Sequence, residues 1–213
     1  MVNFMGQIIY FSDTHNKGKI KRKKPMGITK DKKIEIEREV KRLLKGTDFS
    51  QYPSVNITSL VKKDGFEIEI VPMPIETTGC LLVNESEDKP QRLITVNAMF
   101  NNPDNEEDVV FKKSRFITAH EYAHFILHKQ DKGPLYAHRD TEHRTEPSEL
   151  EADYFARSIL MPYNTFKVCY DVLKEMYTDD EESVVLYLSR MFDATKKKVK
   201  LRIQDLQELG SFT

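Results

Sequence analysis

Arg115-Phe116-Ile117-Thr118-Ala119-His120-Glu121-Tyr122-Ala123-His124-Phe125-Ile126-Leu127-His128 carries a His-Glu-x-x-His pattern inside an apolar run that contains neither proline nor glycine. On a helix, the four-residue spacing stacks His120 and His124 on one face, one turn apart, so two imidazoles can converge on one metal ion with Glu121 beside it. The run itself predicts a helix from about Val109 to Lys129. The acids among residues 101–108 suit its N-terminus.

Upstream, the period changes. Phe66, Ile68 and Ile70 alternate with Glu67 and Glu69, which predicts a half-buried strand closed by Pro72 and Pro74. Gly79–Val83 and Leu93–Asn97 predict two more strands across turn-rich linkers. Before them, Ile34–Lys45 places Ile36, Val40, Leu43 and Leu44 on one helical face and ends at Gly46. The expected architecture is α+β. A small, mostly antiparallel three-stranded sheet packs on the histidine-bearing helix, and a helical bundle follows at the C-terminus.

Downstream, residues 130–147 hold Gly133, Pro134 and Pro147 among charged residues and predict an exposed loop. Ser148-Glu149-Leu150-Glu151 then matches a capping box, opening a helix that stops at Met161-Pro162. Three further helices are expected, capped by Asn164 or Thr165, by Asp179 or Asp180, and by Thr195, the last ending at Gly210. The expected division is a basic arm over residues 1–33, with a short strand at Gln7–Phe11, and a main domain over 34–178. A helical subdomain over 179–213, resembling a helix-turn-helix, packs on that domain.

Composition narrows the setting without naming a partner. The 213 residues suffice for one well-packed domain or a domain with a small appendage, and a net charge of -1 hides local segregation. No apolar window reaches the roughly 18 residues of a membrane helix, and the first residues lack a basic leader and a cleavage site. A soluble, unprocessed protein is expected. Two cysteines without a C-x-x-C pattern suggest a reducing compartment, so cytoplasm is the expected location. The lysines of the arm, and Lys196, Lys197, Lys198, Lys200 and Arg202 near the C-terminus, raise direct DNA binding. Solvated basic faces are the favoured reading of both.

A catalytic zinc site needs three protein ligands and an open position, and His120 and His124 supply two. Glu149 and Asp153, four residues apart on the next helix, offer the rest: one carboxylate to complete the set, the other to orient a ligating imidazole. Glu149 also reads as an ordinary acid at a helix N-terminus. Glu121 is the natural general base, taking a proton from the attacking water and returning it to the leaving amine of a peptide. The donor types fit zinc first, and iron, manganese or cobalt as well.

The stretch 115–128, together with Glu149-Leu150-Glu151-Ala152-Asp153-Tyr154-Phe155-Ala156-Arg157-Ser158-Ile159-Leu160-Met161-Pro162, resembles the ImmA/IrrE family of zinc metallo-endopeptidases. The resemblance extends over roughly residues 55–210. It implies a gluzincin-like fold, Glu149 as third ligand and Asp153 as the supporting acid. The substrate it implies is a regulatory protein, typically a helix-turn-helix repressor of a mobile element or stress regulon. A separate helix-turn-helix or sensor domain, frequent in relatives, is not evident. The alternative is a non-proteolytic zinc- or DNA-binding regulator, or a component of a toxin–antitoxin pair.

Other residues enter as weaker candidates. Thr95, Val96 and Asn97 would bind substrate if their strand lay at the sheet edge, where an extended peptide can pair with it. His138 and His143 are candidates for stabilising an oxyanion, although the sequence favours ordinary loop residues. His128 reads as a cation suited to a helix C-terminus, and Glu151 as part of the capping box. Cys80 reads as a small buried residue before it reads as a fourth ligand.

Overall fold

The computed structural model of the protein describes residues 27–74, 76–85, 90–100, 107–128, 135–139 and 146–210. The strand expected at Gln7–Phe11, most of the basic run, most of the acidic connector and His143 lie outside them.

Helix α1 (Lys30–Leu43) begins where the Thr29 hydroxyl accepts a hydrogen bond from the Lys32 amide, 3.3 Å away. Its buried face is the expected one, Ile36, Val40 and Leu44. The end of the basic stretch is therefore helical, and Lys33 is buried between Asp205 and Glu208. Helix α2 (Ile57–Lys63) was not foreseen. Its signals are nonetheless in the chain: Asn56 accepts from the Ser59 amide, Ile57 and Val61 point inward, and Gly65 turns the chain with a positive φ of 81°.

Four strands form one mixed sheet in the order β1-β3-β2-β4: β1 (Glu67–Val71), β2 (Gly79–Asn84), β3 (Gln91–Asn97) and β4 (Leu135–Arg139). Strands β2–β3 and β2–β4 run antiparallel, while β1 runs parallel to β3. The three expected strands are thus joined by a fourth, from the stretch read as loop. Gly133 and Pro134 are the punctuation before it, and pairing along β2 makes the strand. The faces alternate as the pleat requires: Gly79, Leu81 and Val83 are buried, as are Ile94 and Val96 across from them. Ile70 is exposed because β1 lies at an edge.

Helix α3 (Glu107–His128) crosses beneath this sheet, and every residue from Arg115 to Phe125 is buried. The helix is covered on opposite sides, by the sheet on one and by α4 (Pro147–Leu160) on the other. Arg115 ties it to the chain before α2, donating to Ser54 Oγ and the Val55 carbonyl at 2.9 Å each. The Tyr122 hydroxyl donates to Asp64 at the end of α2. The capping box does not form. Pro147, which lacks an N–H and suits a first helical turn, starts α4 one residue early, and Glu146 is the cap residue with no side-chain bond.

A second core gathers Met161 at the end of α4 with Phe166, Leu173, Val184, Leu188, Phe192, Val199 and Leu206 from α5 (Tyr163–Met176), α6 (Glu181–Met191) and its C-cap, and α7 (Lys196–Glu208). Buried ion pairs join it to the first. Arg157 on α4 holds Asp205 at 2.6 Å, and the fully buried Arg202 holds Glu37 of α1 at 2.5 Å. Among the described residues no helix is long and apolar enough to cross a membrane.

Candidate metal centre

His120 and His124 occupy successive turns of α3, with ring centroids 5.0 Å apart, and both are buried. Glu149, in the first turn of α4, faces them across the helix pair. Its Oε2 lies 3.1 Å from His120 Nε2 and its Oε1 lies 3.1 Å from His124 Nε2; the two Nε2 atoms are 3.3 Å apart. Burial pushes the Glu149 carboxyl up, but the hydrogen bonds and charge of the two imidazoles more than offset this and bring it to about 2. It is a carboxylate at neutral pH.

Asp153, one turn along α4, approaches the other face of His120, with Oδ1 3.0 Å from Nδ1. An ionised carboxylate only accepts, so Nδ1–H donates to Asp153 and, in the neutral ring, Nε2 presents a lone pair. That lone pair then faces a carboxylate oxygen and a second imidazole nitrogen, an arrangement that a cation satisfies: the Nε2 proton of the hydrogen bonds above, or a metal ion in its place. Ligands about 2.0–2.1 Å from a tetrahedral zinc stand about 3.3 Å from one another, which is close to the spacing found. Among the described residues, His120, His124 and Glu149 are the group able to hold a metal ion. The donor set fits it.

Glu121 projects from α3 toward the start of β2. A Cβ placed on Gly79 would lie 2.8 Å from Glu121 Oε1 and 2.5 Å from Ile117 Cγ2, so only glycine leaves room for this carboxylate. Gly79 did not stand out as a site residue from the sequence. Its signal was a lone glycine heading an apolar strand, which marks a close approach of another group.

Residues 112–204 match the family model described as an IrrE N-terminal-like domain, a peptidase family. Over these residues the chain carries an ImmA/IrrE-type domain. The matched stretch runs from α3 into α7, so both site helices and the C-terminal helices lie within the ImmA/IrrE domain, while β1 to β3 precede it. Its site is of the metallopeptidase type. No curated protein matches the chain.

The remaining candidates separate clearly. Strand β3 is an inner strand, paired on one side with β1 and on the other with β2, so Thr95, Val96 and Asn97 cannot receive a peptide as an added strand. Val96 is core, and the buried Asn97 amide donates to the carbonyls of Met73, Pro74 and Thr77, shaping the turn between β1 and β2. His138 lies in β4, in register with Cys80. Burial, then the Glu121 charge, pushes the Cys80 thiol up to about 11, which keeps it a thiol rather than a thiolate ligand.

His128 is structural, but not as a cation. Burial and the neighbouring His124 lower its pKa, and its Nε2 lies 3.3 Å from the Ser148 carbonyl, joining the end of α3 to the start of α4. Glu151 lies 3.7 Å from Lys32 and 3.8 Å from His128 instead of capping α4.

Proposed function

We propose that this protein is a cytoplasmic zinc-dependent endopeptidase that hydrolyses a peptide bond in a regulatory protein. The convergence of His120 Nε2, His124 Nε2 and the Glu149 carboxylate, with Glu121 on the same helix, carries the reading. A zinc ion held by these three residues supplies the Lewis acidity that polarises a peptide carbonyl. The chain's own residues do the rest. Glu121 accepts a proton from the attacking water and delivers it to the departing amide nitrogen. Asp153 keeps His120 in the tautomer whose Nε2 is free to bind. The resemblance to ImmA/IrrE peptidases supports a helix-turn-helix repressor of a mobile element or stress regulon as substrate.

Direct DNA binding through α7 is not favoured by the geometry. Of its five basic side chains, Arg202 is buried on Glu37, Lys200 pairs with Glu182 and Lys198 reaches Asp153.

Metal analysis of the purified protein, followed by incubation with helix-turn-helix repressors, tests the proposal. Fragment masses should identify one cut bond. Glu121→Gln should retain the metal and lose cleavage, and a variant that cuts as fast as the parent refutes the assigned base.

A further inference from the structure

Helix α7 opens with Lys196, Lys197 and Lys198, and its first turn contains no acid. Positive charge there opposes the helix dipole, which favours anions at an N-terminus. A local rule broken in this way calls for a compensating contact elsewhere. Lys198 has two. Its Nζ stands 3.5 Å from the centroid of the Phe116 ring and 3.6 Å from Asp153 Oδ2, and the side chain is only 19% exposed.

Both contacts lead to the metal centre. Phe116 lies one turn before His120 on α3, and their ring centroids are 6.4 Å apart. Asp153 uses its other oxygen, Oδ1, on His120 Nδ1 at 3.0 Å. One lysine from the C-terminal helices therefore touches both helices that carry the candidate ligands. Asp153 is itself part-exposed, at 29% of its side chain, so water competes for its oxygens and a cation beside Oδ2 favours the rotamer that meets His120.

We infer that Lys198 is a positioning residue for the metal centre, holding Asp153 so that Asp153 holds His120. The inference rests on the reading of His120, His124 and Glu149 as ligands. A lysine acting through Asp153 has a distinct signature: its effect disappears once the Asp153 carboxylate is gone. The Met side chain in Lys198→Met keeps an apolar stem beside Phe116 and removes the charge, with the cation–π contact that the charge makes. Arg in Lys198→Arg restores a cation within reach of the same carboxylate.

Competition for zinc against a chromophoric chelator measures the effect without any substrate. Lys198→Met should weaken zinc binding by about tenfold, the lower end of what loss of a ligand's supporting partner costs, and Lys198→Arg should recover most of it. Asp153→Asn should lose at least as much, and adding Lys198→Met to it should cost nothing further. Melting of the metal-free proteins should show parent and Lys198→Met together. The inference is overturned if Lys198→Met binds zinc like the parent while Asp153→Asn does not, and the reading of the site then stands. It is overturned too if the two losses add, if arginine gives no rescue, or if the metal-free variant melts correspondingly lower. A parent that binds no zinc removes the reading and the inference together.

Discussion

Replacing Arg202 by methionine tests how α4 is held in place. The Arg202 guanidinium has no exposed surface and makes four hydrogen bonds: Nη1 to Glu37 Oε1 at 2.5 Å and Ser158 Oγ at 3.0 Å, Nη2 to Glu37 Oε2 at 3.1 Å, and Nε to the Met161 carbonyl at 3.0 Å. Methionine fills most of the volume and leaves Glu37 with only the Tyr154 and Ser158 hydroxyls, each at 2.9 Å. Removing one partner of a buried pair costs about 3–5 kcal/mol, because the other charge remains without its counterion. For a chain of this size that lowers the melting midpoint by roughly 6–20 °C.

The pH dependence follows from Glu37. Burial pushes its carboxyl up, but the Arg202 charge and the hydrogen bonds from Arg202, Ser158 and Tyr154 outweigh that and hold it below the ordinary value. A depressed folded-state pKa stabilises the parent above the unfolded pKa, and that stability is lost as pH falls through the folded value. In Arg202→Met only the burial and the neutral donors remain, the folded-state pKa rises, and protonation relieves the defect. The gap between parent and variant should therefore be full at pH 7 and narrow toward pH 4. Melts of both proteins in chelator, across that range, measure it; Glu37→Gln added to Arg202→Met should recover much of the loss at pH 7. A variant within about 1 kcal/mol of the parent at pH 7, or a gap unchanged by pH, refutes the reasoning, since a broken buried pair costs more.

Two further outcomes follow from the site. Gly79→Ala should cost about 1–3 kcal/mol through overpacking against Ile117. By displacing Glu121 it should also cut turnover about a hundredfold while zinc binding persists; an alanine variant with parental turnover on the cleaved substrate refutes the claim that Gly79 sets the position of Glu121. Zinc at about a thousand times its Kd should stabilise the parent by roughly 4 kcal/mol in thermal melts, whereas His120→Ala and Glu149→Gln should each lose most of that gain. An equal gain in both variants means that zinc binds elsewhere.

The candidate ligands were legible because a helix converts spacing into direction. His120 and His124 at i and i+4, and Glu149 and Asp153 at the same spacing, required only that two helices face each other. Spacing alone leaves either acid able to play either part; the family resemblance implies Glu149 as third ligand, and the fold brings that carboxylate to both imidazoles. Burial was harder to read. Arg202 looks like one more base on a solvated helix, and only the approach of α1 to α7, 165 residues apart at the Arg202–Glu37 contact, makes it the hub of a polar core. Strand β3 failed as a candidate edge for the same reason: its outer neighbour, β1, arrives by a parallel pairing that no local turn announces. β4 was hidden because strand order is a property of pairing, not of composition.

The placement of α7 also decides whether residues beyond Thr178 form a separable unit. If they did, a chain ending at Thr178 would keep its fold and its zinc. The structure argues the opposite. Met161, Phe166 and Leu173 lie before that point, yet they are buried in one cluster with Val184, Leu188, Phe192, Val199 and Leu206 after it. Uncovering three such side chains forfeits about 1.5–3 kcal/mol each, a sum that rivals the whole stability of an ordinary domain. The same truncation removes Arg202 from Glu37, Asp205 from Arg157 and Lys198 from Asp153, so α4 loses its attachments on the side opposite the sheet. The shortened chain should show no cooperative melt and no stoichiometric zinc. A shortened chain that melts cooperatively near the parent and binds zinc as tightly would show that α4 is positioned by α1 and α3 alone.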